Sequence, residues 1–157
     1  MTSRMRRTVI RAAVALPLAA VTLAVTVTPA SAHTLNEAVT STTGCGWSSG
    51  SYLTLHSGAI TTSGGTRFGT AYLLWSDSYQ ENCVVTLREG AMHGVASSTE
   101  ARLIGLASGT FRDQGSFGHF AAVSAPTGGE CVSYRGEIIS TDGQIAESPQ
   151  VEFGWCG

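Results

Sequence analysis

Apolar and polar positions alternate with a period of two through most of the chain beyond residue 50. Leu53 and Leu55 alternate with Tyr52, Thr54 and His56. In the next run Phe68, Thr70, Tyr72 and Leu74 share one face, and Ala71, Leu73 and Trp75 share the other. Both faces want cover, so this reads as a central strand. Cys83, Val85 and Leu87 then oppose Val84, Thr86 and Arg88. His119 to Ala125, Cys131 to Ile139 and Val151 to Trp155 read as further strands. Segments 57–66, 76–82, 111–118 and 126–130 read as turns, and Asp142-Gly143 is a hairpin signal. Glu100 to Ala107 is too short an apolar run for periodicity to separate strand from helix, and Gly105 weakens the helix. Short alternating runs between Gly, Ser and Asp clusters predict an all-β fold. No helical stretch of about 10–15 residues separates the runs, so parallel crossovers are not expected. The expected architecture is a small antiparallel β-sandwich or barrel of six to eight strands.

The segment before this pattern has a different logic. Arg4, Arg6, Arg7 and Arg11 give a positive start. Ala12 to Val27 is uncharged and apolar, interrupted by Pro17. Pro29-Ala30-Ser31-Ala32 then places small residues as an A-x-A site requires. This predicts a secretory signal peptide over residues 1–32, cut between Ala32 and His33. The apolar run falls short of the roughly 20 residues a membrane span needs. Arg6-Arg7 also fits a twin-arginine leader loosely. Nothing later is long and apolar enough to span, so no integral membrane association is expected after cleavage. Residues 33–43 are Ser/Thr-rich with Leu35 and Val39 as anchors, and read as a flexible N-terminal tail or a short helix. Residues 44–157 form a single domain, of ordinary size for one core.

Charge narrows the partners. The 157-residue chain has nine Arg, no Lys and eleven acidic residues. Without the leader, five Arg face eleven acidic residues, a formal charge of −6 where the full chain carries −2. A nucleic-acid or anionic-membrane binder needs a basic face, so neither partner is expected. Four Cys in an exported chain predict two disulfides. Three pairings are open. Cys45–Cys83 with Cys131–Cys156 is favoured, because neighbours in sequence tend to be neighbours in a meander of strands. Each bridge would stabilise by about 3–4 kcal/mol in the loop-entropy model. No C-x-x-C or H-x-x-x-H spacing occurs, so neither metal nor cofactor is expected.

Catalytic patterns are absent or misplaced. Gly46-Trp47-Ser48-Ser49-Gly50 matches G-x-S-x-G, but a nucleophile elbow needs a strand before it and a helix after it in a parallel sheet. Thr62-Ser63-Gly64-Gly65 resembles the Ser-Gly-Gly of trypsin-like proteases, yet His56 precedes it too closely. His119 and Asp113 could join some Ser in a triad, because triads are defined by geometry rather than order. Nothing in the sequence selects a Ser for them. His56, His93 and His119 are dispersed, and read as strand histidines on polar faces. Trp75 and Trp155 fit core strands. Trp47, in a Gly/Ser loop beside Cys45, is the tryptophan expected to be exposed and to contact a ligand such as a sugar face.

The cysteine frame carries a family likeness. Gly44-Cys45 opens the domain. Thr70-Ala71-Tyr72-Leu73 precedes Asn82-Cys83-Val84-Val85-Thr86-Leu87-Arg88. Asp113-x-Gly115-x-Phe117 leads into Phe120-Ala121-x-Val123. Cys131-Val132 precedes Gly136-x-Ile138, and Cys156-Gly157 closes the chain. This arrangement resembles the spore-associated protein A family of filamentous actinobacteria, over about Gly44 to Gly157. The resemblance implies a small exported protein recovered with spores or aerial hyphae, with spore or cell-wall components as partners. It brings no reaction and no catalytic residue. The expectation is a secreted, non-enzymatic surface protein. Its rivals are a protease inhibitor presenting the Gly58 to Thr66 loop and a wall-polysaccharide module using Trp47.

Overall fold

The alternating segments become strands in a computed structural model of the chain, which describes residues 33–49 and 51–156. The expected leader, including Ala32 of the expected cleavage pair, lies outside the described residues. Eight strands follow one another: β1 (Leu53–Thr62), β2 (Arg67–Ser76), β3 (Glu81–Arg88), β4 (Ser97–Gly105), β5 (Gly109–Phe117), β6 (Phe120–Ala125), β7 (Val132–Ile139) and β8 (Ile145–Glu147). They form one antiparallel sheet in the order β5-β4-β7-β8-β1-β2-β3-β6. Its two edges, β5 and β6, are consecutive in sequence and joined at Gly118-His119. The sheet therefore curls on itself into a nearly closed barrel, and β5 and β6 lie against each other without pairing.

The interior is filled by Ile60, Ala71, Leu73, Val84, Leu103, Tyr134 and Ile138, all fully buried. The opposite face of β2 and β3 carries Leu74, Cys83, Val85 and Leu87. It is covered by Val39, Cys45 and Trp47 from the N-terminal segment. Two-sided cover explains why both faces of these strands are apolar. The cover is a short helix, α1 (Leu35–Thr40), and the loop after it. The segment expected as a flexible tail or short helix is thus helical. Thr34 and Glu37 satisfy each other's exposed backbone donors in a capping box, and Ala38 and Val39 are buried.

Both cysteine pairs are bonded, Cys45 to Cys83 and Cys131 to Cys156. The first ties the loop after α1 to β3, with Cα atoms 5.9 Å apart. The second ties the start of β7 to the C-terminal segment. Bridged cysteines suit an oxidising environment. Gly44 is required just before the first bridge, because any Cβ there would collide with the Ala38 carbonyl. Among the described residues no helix is long and apolar enough to cross a membrane.

Several boundaries differ from the sequence reading. The expected turn at 57–66 is strand through Thr62, and only the hairpin tip turns. Gly58 sits in that strand because Pro149 and the Tyr134 hydroxyl approach it closely. The loop that would have served a protease inhibitor is therefore mostly paired sheet. The expected turn at 111–118 is β5, where Asp113 and Gly115 pair with Ala101 and Thr99. An edge strand tolerates both residue types. Of Glu100 to Ala107, the residues through Gly105 resolve as strand in β4, because they pair on both sides, and Leu106 and Ala107 turn into the hairpin. The expected last strand at Val151 to Trp155 does not form. Trp155 has a positive φ of 47°, which ends extended structure, and a single bridge joins Gly154 to Val132.

Candidate metal centre

Three histidines far apart in sequence meet beside the β5–β6 turn. His33 precedes the Thr34 cap of α1. Its backbone nitrogen lies 3.0 Å from His93 Nε2, and its Nδ1 lies 3.2 Å from the same atom. His119 Nδ1 lies 3.1 Å from it. One nitrogen from each ring falls within 4.8 Å of the others, and all three residues are partly buried. The His33 and His119 rings face each other with centroids 3.9 Å apart.

Each histidine is held by a separate device. His33 is fixed by the capped helix, which the buried Val39, Gly44 and the Cys45–Cys83 bridge pin to β3. His93 follows a short 3-10 turn (Gly90–Met92) that runs between β3 and β4. Arg88, at the end of β3, supports that turn from beneath. Its fully buried guanidinium donates to the Met92 carbonyl at 2.9 Å, the Ser97 hydroxyl at 2.8 Å and the Thr99 hydroxyl at 2.5 Å. His119 sits in the two-residue turn from β5 to β6. That turn is tied down on both sides: Arg88 N–H donates to the His119 carbonyl at 2.9 Å, and Gly94 N–H to the Gly118 carbonyl at 2.7 Å. Gly94 has φ of +78°, which lets the chain double back there.

At His119 the surroundings favour the neutral ring. Burial pushes the His119 pKa below its usual value, and the nearby His33, His93 and Arg88 push it the same way. Glu37 is held below the ordinary carboxylate range, first by the Thr34 backbone N–H and then by the Thr34 hydroxyl. A groove of about 450 Å³ opens over the cluster, lined by His33, Glu37, Ser41, Phe117, His119 and Phe120.

A neutral imidazole nitrogen has one in-plane lone pair, which accepts one good hydrogen bond. Three nitrogens crowd His93 Nε2 at 3.0–3.2 Å, more than that lone pair can serve. A cation resolves the crowding. Metal–nitrogen bonds of about 2.0–2.1 Å place neighbouring ligands roughly 2.9–3.4 Å apart. The three separations from His93 Nε2 fall in that range, and the ring nitrogens together lie within 4.8 Å, so side-chain rotation would gather them around one ion. The chemistry of such a donor set is ligation of a borderline metal such as zinc, nickel or copper.

The residues singled out in the sequence fare differently. Trp47, expected to be exposed, is only 3% exposed. Its indole N–H donates to Glu81 at 3.1 Å, and its ring stacks on Tyr79. The bridge at Cys45 draws the whole loop onto β3 and takes the ring inside. Trp75 and Trp155, expected in the core, instead line a cleft of about 250 Å³ with Leu55 and Asn82. Ser48 faces Tyr79, whose phenol it holds below the usual range, and no histidine. Asp113 accepts the Ala122 N–H at 3.2 Å while His119 turns to His93, so these two do not form a triad. Ser63 lies in the β1–β2 hairpin turn, and His56 is engaged with the Tyr134 hydroxyl at 2.7 Å.

The sequence reading assigned no metal ligand because the three histidines have no local spacing. The one available signal was the position of His33, immediately after the expected cleavage site. Compared with protein-family models, curated proteins and solved structures, the chain matches none.

Proposed function

We propose that this is an exported, non-enzymatic protein of the spore or aerial-hypha surface that binds one transition-metal ion through His33, His93 and His119. The convergence of three histidine nitrogens within 4.8 Å carries the metal reading. The leader pattern, the two bonded cysteine pairs and the likeness to the spore-associated protein A family support the location. The role assigned to it is capture or display of a metal ion.

The test uses the protein expressed with its own leader and recovered after export. Titration with Zn(II) and Cu(II) against a chromophoric chelator should find one ion bound per chain. His93→Ala and His119→Ala should each weaken binding about 10- to 100-fold, the usual scale for losing part of a metal site. No stoichiometric uptake of either ion would end the metal reading. Blotting of medium, mycelium and spores should find the protein with spores or hyphae. Recovery from medium alone would end the surface reading.

A further inference from the structure

His33 stands at a chemical boundary. In the uncut chain its nitrogen is an amide, able to donate to His93 but without a basic lone pair. After cleavage between Ala32 and His33, the same atom becomes a primary amine. It already lies 3.0 Å from His93 Nε2, beside its own ring nitrogen at 3.2 Å from the same atom. We propose that export cleavage completes this centre and makes it selective for Cu(II). The freed amine and Nδ1 of His33 chelate the ion, His93 Nε2 takes a third position and His119 Nδ1 a fourth. This inference rests on the metal-binding reading above and names its ion and its trigger.

The chelate ring closes through Cα, Cβ and Cγ of a single residue, so little chain has to be ordered. Thr34, the next residue, is already fixed by its capping box. Four nitrogen donors with no thiolate or carboxylate among them suit a cupric ion, one contact to His93 Nε2 opening to the roughly 4 Å of a trans pair as a tetragonal plane forms, and copper stands at the top of the divalent affinity order. On binding, the ammonium gives one proton to solvent and no electron moves. The precursor lacks the amine, so full copper affinity arises only once the leader is removed.

The chain has no Lys, so after cleavage the α-amine is its one primary amine. Amine-directed acetylation of the exported, metal-free protein therefore modifies a single site without any substitution or refolding. Hydroxylamine treatment removes stray tyrosine esters, and mass spectrometry confirms His33 as the first residue and one acetyl group added. The unmodified protein should bind Cu(II) roughly 100-fold or more tighter than Zn(II). Its paramagnetic resonance should show a tetragonal spectrum with nitrogen couplings. Acetylation should weaken Cu(II) binding about 100-fold and change that spectrum, and bound Cu(II) should shield the amine from the reagent. Unchanged copper affinity and spectrum after acetylation would overturn the chelate while leaving the three-histidine site intact. An exported chain that starts anywhere other than His33 would overturn it too. Failure of both forms to bind any metal would remove the underlying reading along with it.

Discussion

Two histidine neighbourhoods lie on the same barrel, each backed by its own disulfide, and they are built on opposite terms. His56 projects from β1 to a single partner, the buried Tyr134 hydroxyl at 2.7 Å, with Trp155 packed 5.1 Å away across the rings. One donor meets one acceptor, and the pair is complete. His93 instead faces three nitrogens and no hydroxyl or carboxylate acceptor. The first arrangement is what a structural histidine looks like. The second is a crowd of nitrogen lone pairs that a cation would organise. A histidine's role is thus set by the balance of donors and acceptors around it, and burial alone does not distinguish the two.

The bridges should separate these regions most strongly. Replacing Cys45 and Cys83 by Ala removes a 38-residue closure and should cost about 4 kcal/mol in urea denaturation. It also releases α1, so Cu(II) affinity should fall at least about tenfold, the scale of losing a metal site's supporting contacts. Replacing Cys131 and Cys156 removes a 25-residue closure and should cost about 3–4 kcal/mol, with copper affinity unchanged. Equal losses of copper affinity in the two double variants would erase the distinction drawn here.

Alkaline titration above pH 10 should report on the His56 side through Tyr134. Burial raises the Tyr134 pKa from 10.0 to about 12. Below pH 10 the phenol is protonated in both folded and unfolded chains, and its contribution is fully present. As pH rises from 10 to 12 the unfolded chain ionises first, so stability declines, by up to roughly 3 kcal/mol at about 1.4 kcal/mol per unit. Tyr134→Phe should lose about 1 kcal/mol at neutral pH through the missing hydrogen bond. The same variant should lack that component of the alkaline decline. A decline of unchanged size in the variant would assign it to other groups.

The smallest expected effect lies at the helix cap. Thr34→Ala removes the side chain that accepts the Glu37 N–H and should cost about 1 kcal/mol. Because Thr34 orients His33, copper binding should weaken a few-fold while Tyr134 titrates as before. Unaltered copper affinity would show that α1 does not position the ligand.

How legible these regions were in the sequence follows from the range of the interactions. β2 and β3 were readable because side-chain alternation is local and both faces are apolar. β5 was not, because Asp113 and Gly115 look like turn residues until β4 supplies their partners. The C-terminal strand was expected from the alternation of Val151, Phe153 and Trp155, yet the positive φ at Trp155 ends it. Thr34 and Glu37 do carry a capping-box spacing, and the helix they begin is the one that delivers His33. Trp47 was misplaced because exposure depends on where a disulfide pulls a loop, not on the Gly and Ser residues beside it.

By itself the sequence determined the class of fold, the oxidised cysteine frame and the expectation of a cut before His33, because each depends on patterns only a few residues long or on composition. The tertiary structure alone decided which tryptophan faces a cleft and which histidines share a point in space. His33 and His93 are 60 residues apart, and His93 and His119 are 26 apart. Closure of the barrel brings the β5–β6 turn, the segment after β3 and the start of α1 together. No local rule encodes such a meeting, since it depends on how every strand between them pairs.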